Sequence, residues 1–164
     1  MAYDIQIESE QGRHLAVRRF DATPEEMGAQ MGAAFGGVAT YLRRIGVPVS
    51  GPAMSCYEME GDAFHVASGF VVTGPFEEGD GVEHLQLPVR EVVTTTHVGP
   101  YEKLGEAYDA LKEWARGEGR AVDEDTMMWE EYLDGPQTPP EQTRTVVHWP
   151  LRPATATGTF GLGG

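Results

Sequence analysis

The segment Met127–Leu133, MMWEEYL, gathers more chemistry-bearing side chains than any other stretch of the chain. Two adjacent glutamates, Glu130 and Glu131, stand beside Trp129 and Tyr132. A carboxylate in apolar surroundings is costly unless it gains a partner. Such costs are retained mostly at sites that act on something. The chemistry open to this grouping is capture of a cation, or acceptance of a proton from water beside a hydroxyl that donates a hydrogen bond. On a strand, side chains alternate. Met128, Glu130 and Tyr132 then share one face, and Trp129, Glu131 and Leu133 share the other. Both faces are largely apolar, so either glutamate could be the buried one. A solvated strand edge carrying both is the competing reading.

Other chemistries lack their residues. His14, His65, His84, His97 and His148 are scattered, with no HxxxH, HxH or Cys–His grouping. There is no Walker loop, no GxGxxG after a strand and no GxSxG elbow. No metal and no cofactor is therefore expected. Cys56 is the single cysteine, which excludes an internal disulfide and fits a cytoplasmic protein. No Lys, Arg or His lies beside it in sequence, so it reads as a buried, inert thiol.

The elements that must position Glu130 form a repeat. Residues 14–72 run as an alternating apolar stretch, a Pro-opened helix, a Gly/Pro break and two strand-like runs. Residues 90–151 repeat that order. Pro24 in TPEEM answers to Pro100 in GPYEKL, Tyr57 to Tyr132, and Phe70 to Trp149. At one telling place the copies differ: where the first has Ser55, the second has Glu130. The reading is an α+β fold of two β-α-β-β units with pseudo-two-fold symmetry. It has an antiparallel sheet, two helices on one side and a ligand cleft between the halves, where pockets often lie.

In the first half, Thr23-Pro24-Glu25-Glu26 carries a capping hydroxyl, a Pro at the first helical position and a Glu three residues after the cap. Met27, Met31, Ala34, Phe35, Val38, Leu42 and Ile45 follow at helical spacing. Gly28, Gly32, Gly36 and Gly37 weaken that helix and are read as permitting close helix–sheet packing. Tyr101, Leu104, Tyr108, Leu111 and Ala115 form the stripe of the second helix. The halves are placed at 1–73 and 87–152 of one domain, 1–152. Residues 74–86 are the Gly- and acid-rich linker and the expected mobile loop, and 153–164 a disordered tail.

Length and charge bound the rest. The chain has 164 residues and 40% hydrophobic content, enough for one domain with one sizeable core. No apolar run approaches the roughly 18 residues of a membrane helix, and no signal segment is legible. The formal charge is −14. That excludes nucleic acid as an expected partner, since affinity for it comes mainly from cationic contacts to phosphate. It is also the wrong sign for anionic membranes. It favours cationic over anionic ligands, although solubility alone accounts for most of the excess.

HVGPYEKLGEAYDALKEW, followed by WEEYLDGP and TVVHWPL, resembles the GyrI-like small-molecule-binding domain family. This family includes effector domains of bacterial multidrug-responsive activators. The likeness rests on Gly99-Pro100-Tyr101, on the Glu-x-Tyr of Glu130 and Tyr132 with the following Pro, and more loosely on Gly51-Pro52 and GFVV. It covers about residues 3–151. The resemblance implies that Glu130, not Glu131, projects into a cleft that takes flat, apolar, often cationic compounds. It implies Glu130 and Tyr132 as the catalytic pair if there is turnover. Tyr57, Phe70 and Trp149 are implied as walls, with Tyr101 and Tyr108 as further ligand contacts that read more readily as helix packing.

No helix-turn-helix segment is legible, so the chain is expected to sequester a ligand, pass it on or transform it. Some stand-alone members of the family hydrolyse strained cyclopropane-bearing alkylating compounds, which implies a role in drug resistance. The alternatives are non-catalytic sensing or sequestration, and a protein-binding inhibitor of a DNA-acting enzyme that mimics DNA through its acidity. Haem binding through His97 and His148 is a remoter reading, because neither is convincingly positioned as an axial ligand.

Overall fold

The computed structural model describes residues 3–135 and 137–154. Its elements run β1 (Gln6–Glu10), β2 (His14–Ala22), α1 (Met27–Ile45), β3 (Ala53–Glu60), β4 (Ala63–Val72), β5 (Glu83–Gln86), β6 (Arg90–Val98), α2 (Leu104–Gly117), β7 (Met128–Tyr132) and β8 (Arg144–Pro150). All eight strands join one antiparallel sheet in the order β1-β6-β8-β7-β3-β4-β2-β5. The repeat is visible in this order. β2-α1-β3-β4 and β6-α2-β7-β8 occupy opposite halves, and β3 meets β7 at the seam.

The register places the symmetry axis. Ser55 lies opposite Glu130, Tyr57 opposite Met128, and Ala53 opposite Tyr132. A two-fold that exchanges Tyr57 with Tyr132 must pass between Ser55 and Glu130. The repeat also pairs Ala16 with Phe70 in one half and Val93 with Trp149 in the other. Side chains directly opposite on one face of a sheet have Cβ atoms only about 5 Å apart, and like charges there are destabilising. A glutamate in both copies would set two buried carboxylates against each other. The sequence difference at this pair has that physical reason.

Both helices cover the same face of the sheet. Under α1 lie Ala16, Phe70 and Val72, packed by Val38, Tyr41 and Leu42. Under α2 lie Val93, Val147 and Trp149, packed by Ala107, Leu111 and Ala115. The opposite face closes on its own cluster, centred on Leu15, Val17, Met54 and Trp129.

Four local expectations are corrected. The helix α1 begins at Met27, a turn later than the Thr-Pro start predicts. Only one side of the capping exchange forms, the Glu26 carboxylate accepting the Thr23 N–H at 3.0 Å. Tyr101–Lys103 form a 3-10 turn before α2 rather than its first turn. A Cβ on Gly28, Gly32 or Gly36 would meet nothing within 4 Å, so close packing is not their role. Close packing instead belongs to Gly69 on β4, where a Cβ would stand 1.7 Å from the Ala16 carbonyl oxygen of β2.

The fourth correction concerns the linker. Its last residues form β5, which pairs with β2, while β1 pairs with β6. Each half is thus edged by the strand that precedes the other half. Of the expected tail, residues 155–164 lie outside the described residues.

Candidate functional site

The seam between the halves carries a closed polar cluster. Glu130 is 6% exposed. Its carboxylate accepts three tyrosine hydroxyls: Tyr57 and Tyr108 both donate to Oε2 at 2.6 Å, and Tyr132 donates to Oε1 at 2.8 Å. The Tyr57 hydroxyl also lies in hydrogen-bonding contact with that of Tyr108. Beside this group Ser55 and Ser68 share a hydroxyl–hydroxyl bond of 2.6 Å. Each contact follows from local structure. β-alternation sets Tyr132 two residues from Glu130 on the same face, and the seam register brings β3 alongside so that Tyr57 reaches it. The helix α2 lays Tyr108 across the top.

Burial, and then the neighbouring Glu130 charge, pushes the Tyr57, Tyr108 and Tyr132 phenols well above their ordinary range. They are neutral donors at physiological pH. A carboxylate has about four lone-pair sites, and three are taken. The remaining one is on Oε1, beside Tyr132.

Aromatic rings surround this cluster on both sides. Towards α1, Phe35 meets Phe70 at 5.8 Å and Tyr132 at 6.0 Å, and Tyr101 meets Tyr132 edge-on at 6.1 Å. Tyr101 is 53% exposed, so this side opens to solvent. Towards α2, Trp149 packs edge-on to Tyr108 at 5.8 Å, with its indole N–H donating to the Asp123 carbonyl at 3.2 Å. Trp149 and Met128 also line a cavity of about 520 Å³ that carries Glu58, Glu60, Glu124 and Asp125. His65 stands at the same cavity between Asp21 and Glu60. Hydrogen bonds to these two carboxylates raise it to about 9, so it is protonated at neutral pH.

Of the residues singled out in the sequence, Glu130, Tyr132, Tyr57 and Tyr108 converge within hydrogen-bonding distance. Tyr101 reaches them through Tyr132, and Trp149 through Tyr108. Phe70 stands one ring further out, behind Phe35. Glu130 itself does not line the cavity; Tyr57 and Tyr108 cover it. Sequence reasoning placed Phe35 in the helix stripe and missed its position at the opening. The signal open to the sequence was its stripe position between Gly32 and Gly36, since glycines leave a neighbouring ring uncovered.

Glu131 points to the other face, where it has partners. His148 Nε2 donates to it at 2.6 Å and Arg13 at 3.2 Å. Burial opposes its ionisation, yet these two bonds outweigh it and hold the carboxyl at about 2. Glu10, also buried, takes the rest of the Arg13 guanidinium at 2.9 Å. Burial pushes the Cys56 thiol up to about 12, as an inert cysteine requires. Among the described residues no cluster of His, Cys, Asp and Glu could hold a metal, and no helix is long and apolar enough to cross a membrane.

Comparison with solved structures finds the same fold at low identity. The C-terminal domain of EcmrR superposes with a TM-score of 0.77 at 16% identity, over 93% of this chain and 99% of that one. A hydrolase of Listeria innocua encoded by lin2189 gives 0.67 at 15%, over 90% and 91%. SAV2435, solved bound to tetraphenylphosphonium, gives 0.57 at 14%, over 93% and 95%. No curated protein matches the chain. The family described as the GyrI-like small molecule binding domain matches residues 3–152. With nearly the whole described chain inside that match, and eight antiparallel strands under two helices, this protein belongs to the GyrI-like small-molecule-binding domain family.

Proposed function

We propose that the chain binds flat, apolar, cationic small molecules over the Glu130–tyrosine cluster. One observation carries this reading. Every other buried or near-buried carboxylate among the described residues is paired with a guanidinium: Glu10 and Glu131 with Arg13, Asp123 with Arg90 and Arg152, and Asp134 with Arg144. Glu130 is as deeply buried but draws only neutral tyrosine hydroxyls. A buried charge compensated by dipoles alone is poised to take a counter-ion. The rings of Phe35, Tyr101 and Tyr132 add cation–π attraction of about 0.5–2 kcal/mol each. The formal charge of −14 favours approach of cations. SAV2435, of the same fold, was solved with an apolar cation that carries aromatic rings, tetraphenylphosphonium.

The test compares tetraphenylphosphonium, neutral triphenylphosphine oxide and anionic tetraphenylborate by calorimetry. Wild type binds the phosphonium best. Glu130→Gln loses about 2–5 kcal/mol for the phosphonium, as for one partner of a desolvated charge pair, and little for the neutral compound. Equal losses for both would assign Glu130 to packing instead.

The same geometry supports a second reading, hydrolysis of strained cyclopropane-bearing alkylating compounds. The free Oε1 lone pair would take a proton from water as its oxygen bonds to the ring carbon. The breaking C–C electron pair would pass to the conjugated carbonyl, polarised by the Tyr132 hydroxyl once its proton turns from Oε1, and the proton held on Glu130 would return to that oxygen, so that one water is added in all. The likeness to a Listeria innocua hydrolase favours keeping it. Under this reading, mass spectrometry of an activated cyclopropane finds one added water, lost in Glu130→Gln while binding remains. Recovery of the compound unchanged from wild type leaves binding as the function, in sequestration or sensing and by extension in drug resistance.

A further inference from the structure

The repeat that relates the two halves also relates the rings around Glu130. The buried ladder Ala34, Val38 and Leu42 of α1 answers to Ala107, Leu111 and Ala115 of α2. Phe35 follows the first of these residues in one helix, and Tyr108 follows it in the other. Their ring neighbours match as well. Phe35 meets Phe70 at 5.8 Å and Tyr132 at 6.0 Å. Tyr108 meets Trp149 at 5.8 Å and Tyr57 at 6.2 Å. The helix residues differ by one group: Tyr108 carries a hydroxyl and Phe35 does not. That hydroxyl matters at the carboxylate. Oε2 accepts from both hydroxyls of the α2 set, Tyr57 and Tyr108, while Oε1 accepts from Tyr132 of the α1 set. Among the described residues, the ring that stands where a second donor to Oε1 would be is Phe35, which has nothing to donate. The open lone pair therefore falls on the side where Tyr101 is exposed.

We propose that Oε1 takes an N–H from the ligand, so that the compounds the seam prefers are flat aromatic rings bearing a protonated amine, and that Phe35 sets this preference by leaving the position open. The inference rests on the reading of the seam as a cation site, and narrows it. A protonated amine brings charge and donor together, and a hydrogen bond between charged partners is stronger than one between neutral groups. Quaternary ammonium and phosphonium ions bring charge alone. One open lone pair suits one donor, as in a protonated tertiary amine, whose other substituents are carbon and can lie against the rings of Phe35, Tyr101 and Tyr132.

Calorimetry of the full chain at neutral pH compares two cations with the same ring and the same charge, N,N-dimethyl-1-naphthylmethylammonium and its quaternary N-methyl analogue. Tetraphenylphosphonium is measured beside them. Wild type binds the N–H compound about tenfold tighter than the quaternary one, the order expected of one charge-assisted hydrogen bond. In Phe35→Tyr the new hydroxyl fills the open lone pair, and the two affinities converge. Phe35→Leu removes the ring without adding a donor, so both cations weaken while their ratio stays. The wild-type ratio is read without any variant. Equal affinities there, with tetraphenylphosphonium still bound, overturn the proposal and leave the cation site standing. Failure of all three cations to bind overturns both. A ratio that Phe35→Tyr leaves unchanged, in a variant that melts as wild type does, overturns the assignment to Phe35.

Discussion

Glu130 and Glu131 differ by one position and by everything that surrounds them. One faces the seam and draws three neutral hydroxyls; the other faces away and draws a histidine and an arginine. Alternation along the strand was legible in the sequence. Which face was which was not, because the burying helices and the distant partner Arg13 are set by long-range pairing. Glu131 is held at about 2, below its ordinary 4.5, so it stabilises the fold fully above that ordinary value. The stability is lost as pH falls from about 4.5 towards 2. Glu131→Gln should therefore flatten the acid limb of denaturation curves measured across that window, and an unchanged limb would show the network to be inert. The symmetry-related position makes a second forecast. Ser55 is fully buried opposite Glu130. Ser55→Glu should destabilise by about 3–5 kcal/mol, the range for an uncompensated buried charge, whereas Ser55→Ala should cost about 1 kcal/mol for the lost bond to Ser68. Equal urea midpoints for the two variants would refute the axial repulsion.

At the scale of elements, both helices and every strand but β5 are legible to within a few residues, the short edge strand around Ile5 and Ile7 included, because period and turn residues are local signals. The first helix shows where such signals end. Its stripe is right, yet among its residues only Ala34, Val38, Tyr41 and Leu42 are buried. The N-terminal half overhangs the sheet, and its glycines face open space. Gly32→Ala and Gly36→Ala should each stabilise the protein, by up to about 1 kcal/mol, because alanine fits without contact and the unfolded chain loses freedom. Gly37→Ala should gain less, since its Cβ would stand 2.4 Å from the Arg18 guanidinium and displace it from the Asp80 carbonyl. Denaturant midpoints read this directly, and a loss of stability at Gly32 would mean that the overhang packs against something. Phe35 sits between these two glycines, so a loose helix wall borders the opening through which a ligand would reach Tyr132.

The whole molecule is a duplication whose halves do not stand apart. The strand before each half crosses over and edges the other, β1 beside β6 and β5 beside β2. The crossing segments meet on the way, Leu87 N–H donating to the Arg13 carbonyl at 2.9 Å. The sequence showed two similar runs but not this exchange. A strand of five residues carries no mark of which distant edge it will pair with, so the division at 1–73 and 87–152 keeps β1 with the first half and leaves β5 in the linker. The exchange has a measurable consequence. Removing residues 1–10 takes β1 from the neighbour of the second half, not from the half it precedes. Hydrogen exchange of the truncated chain should show lost protection along β6, between Arg90 and Thr94, while β2, still held by β4 and β5, keeps its protection. Glu10 leaves with the strand, so Arg13 is left with Glu131 as its carboxylate partner. Phosphonium binding at Glu130, on β7 beside β3, should change little. If β2 loses protection instead, each half folds with its own leading strand and the exchange is not what joins them.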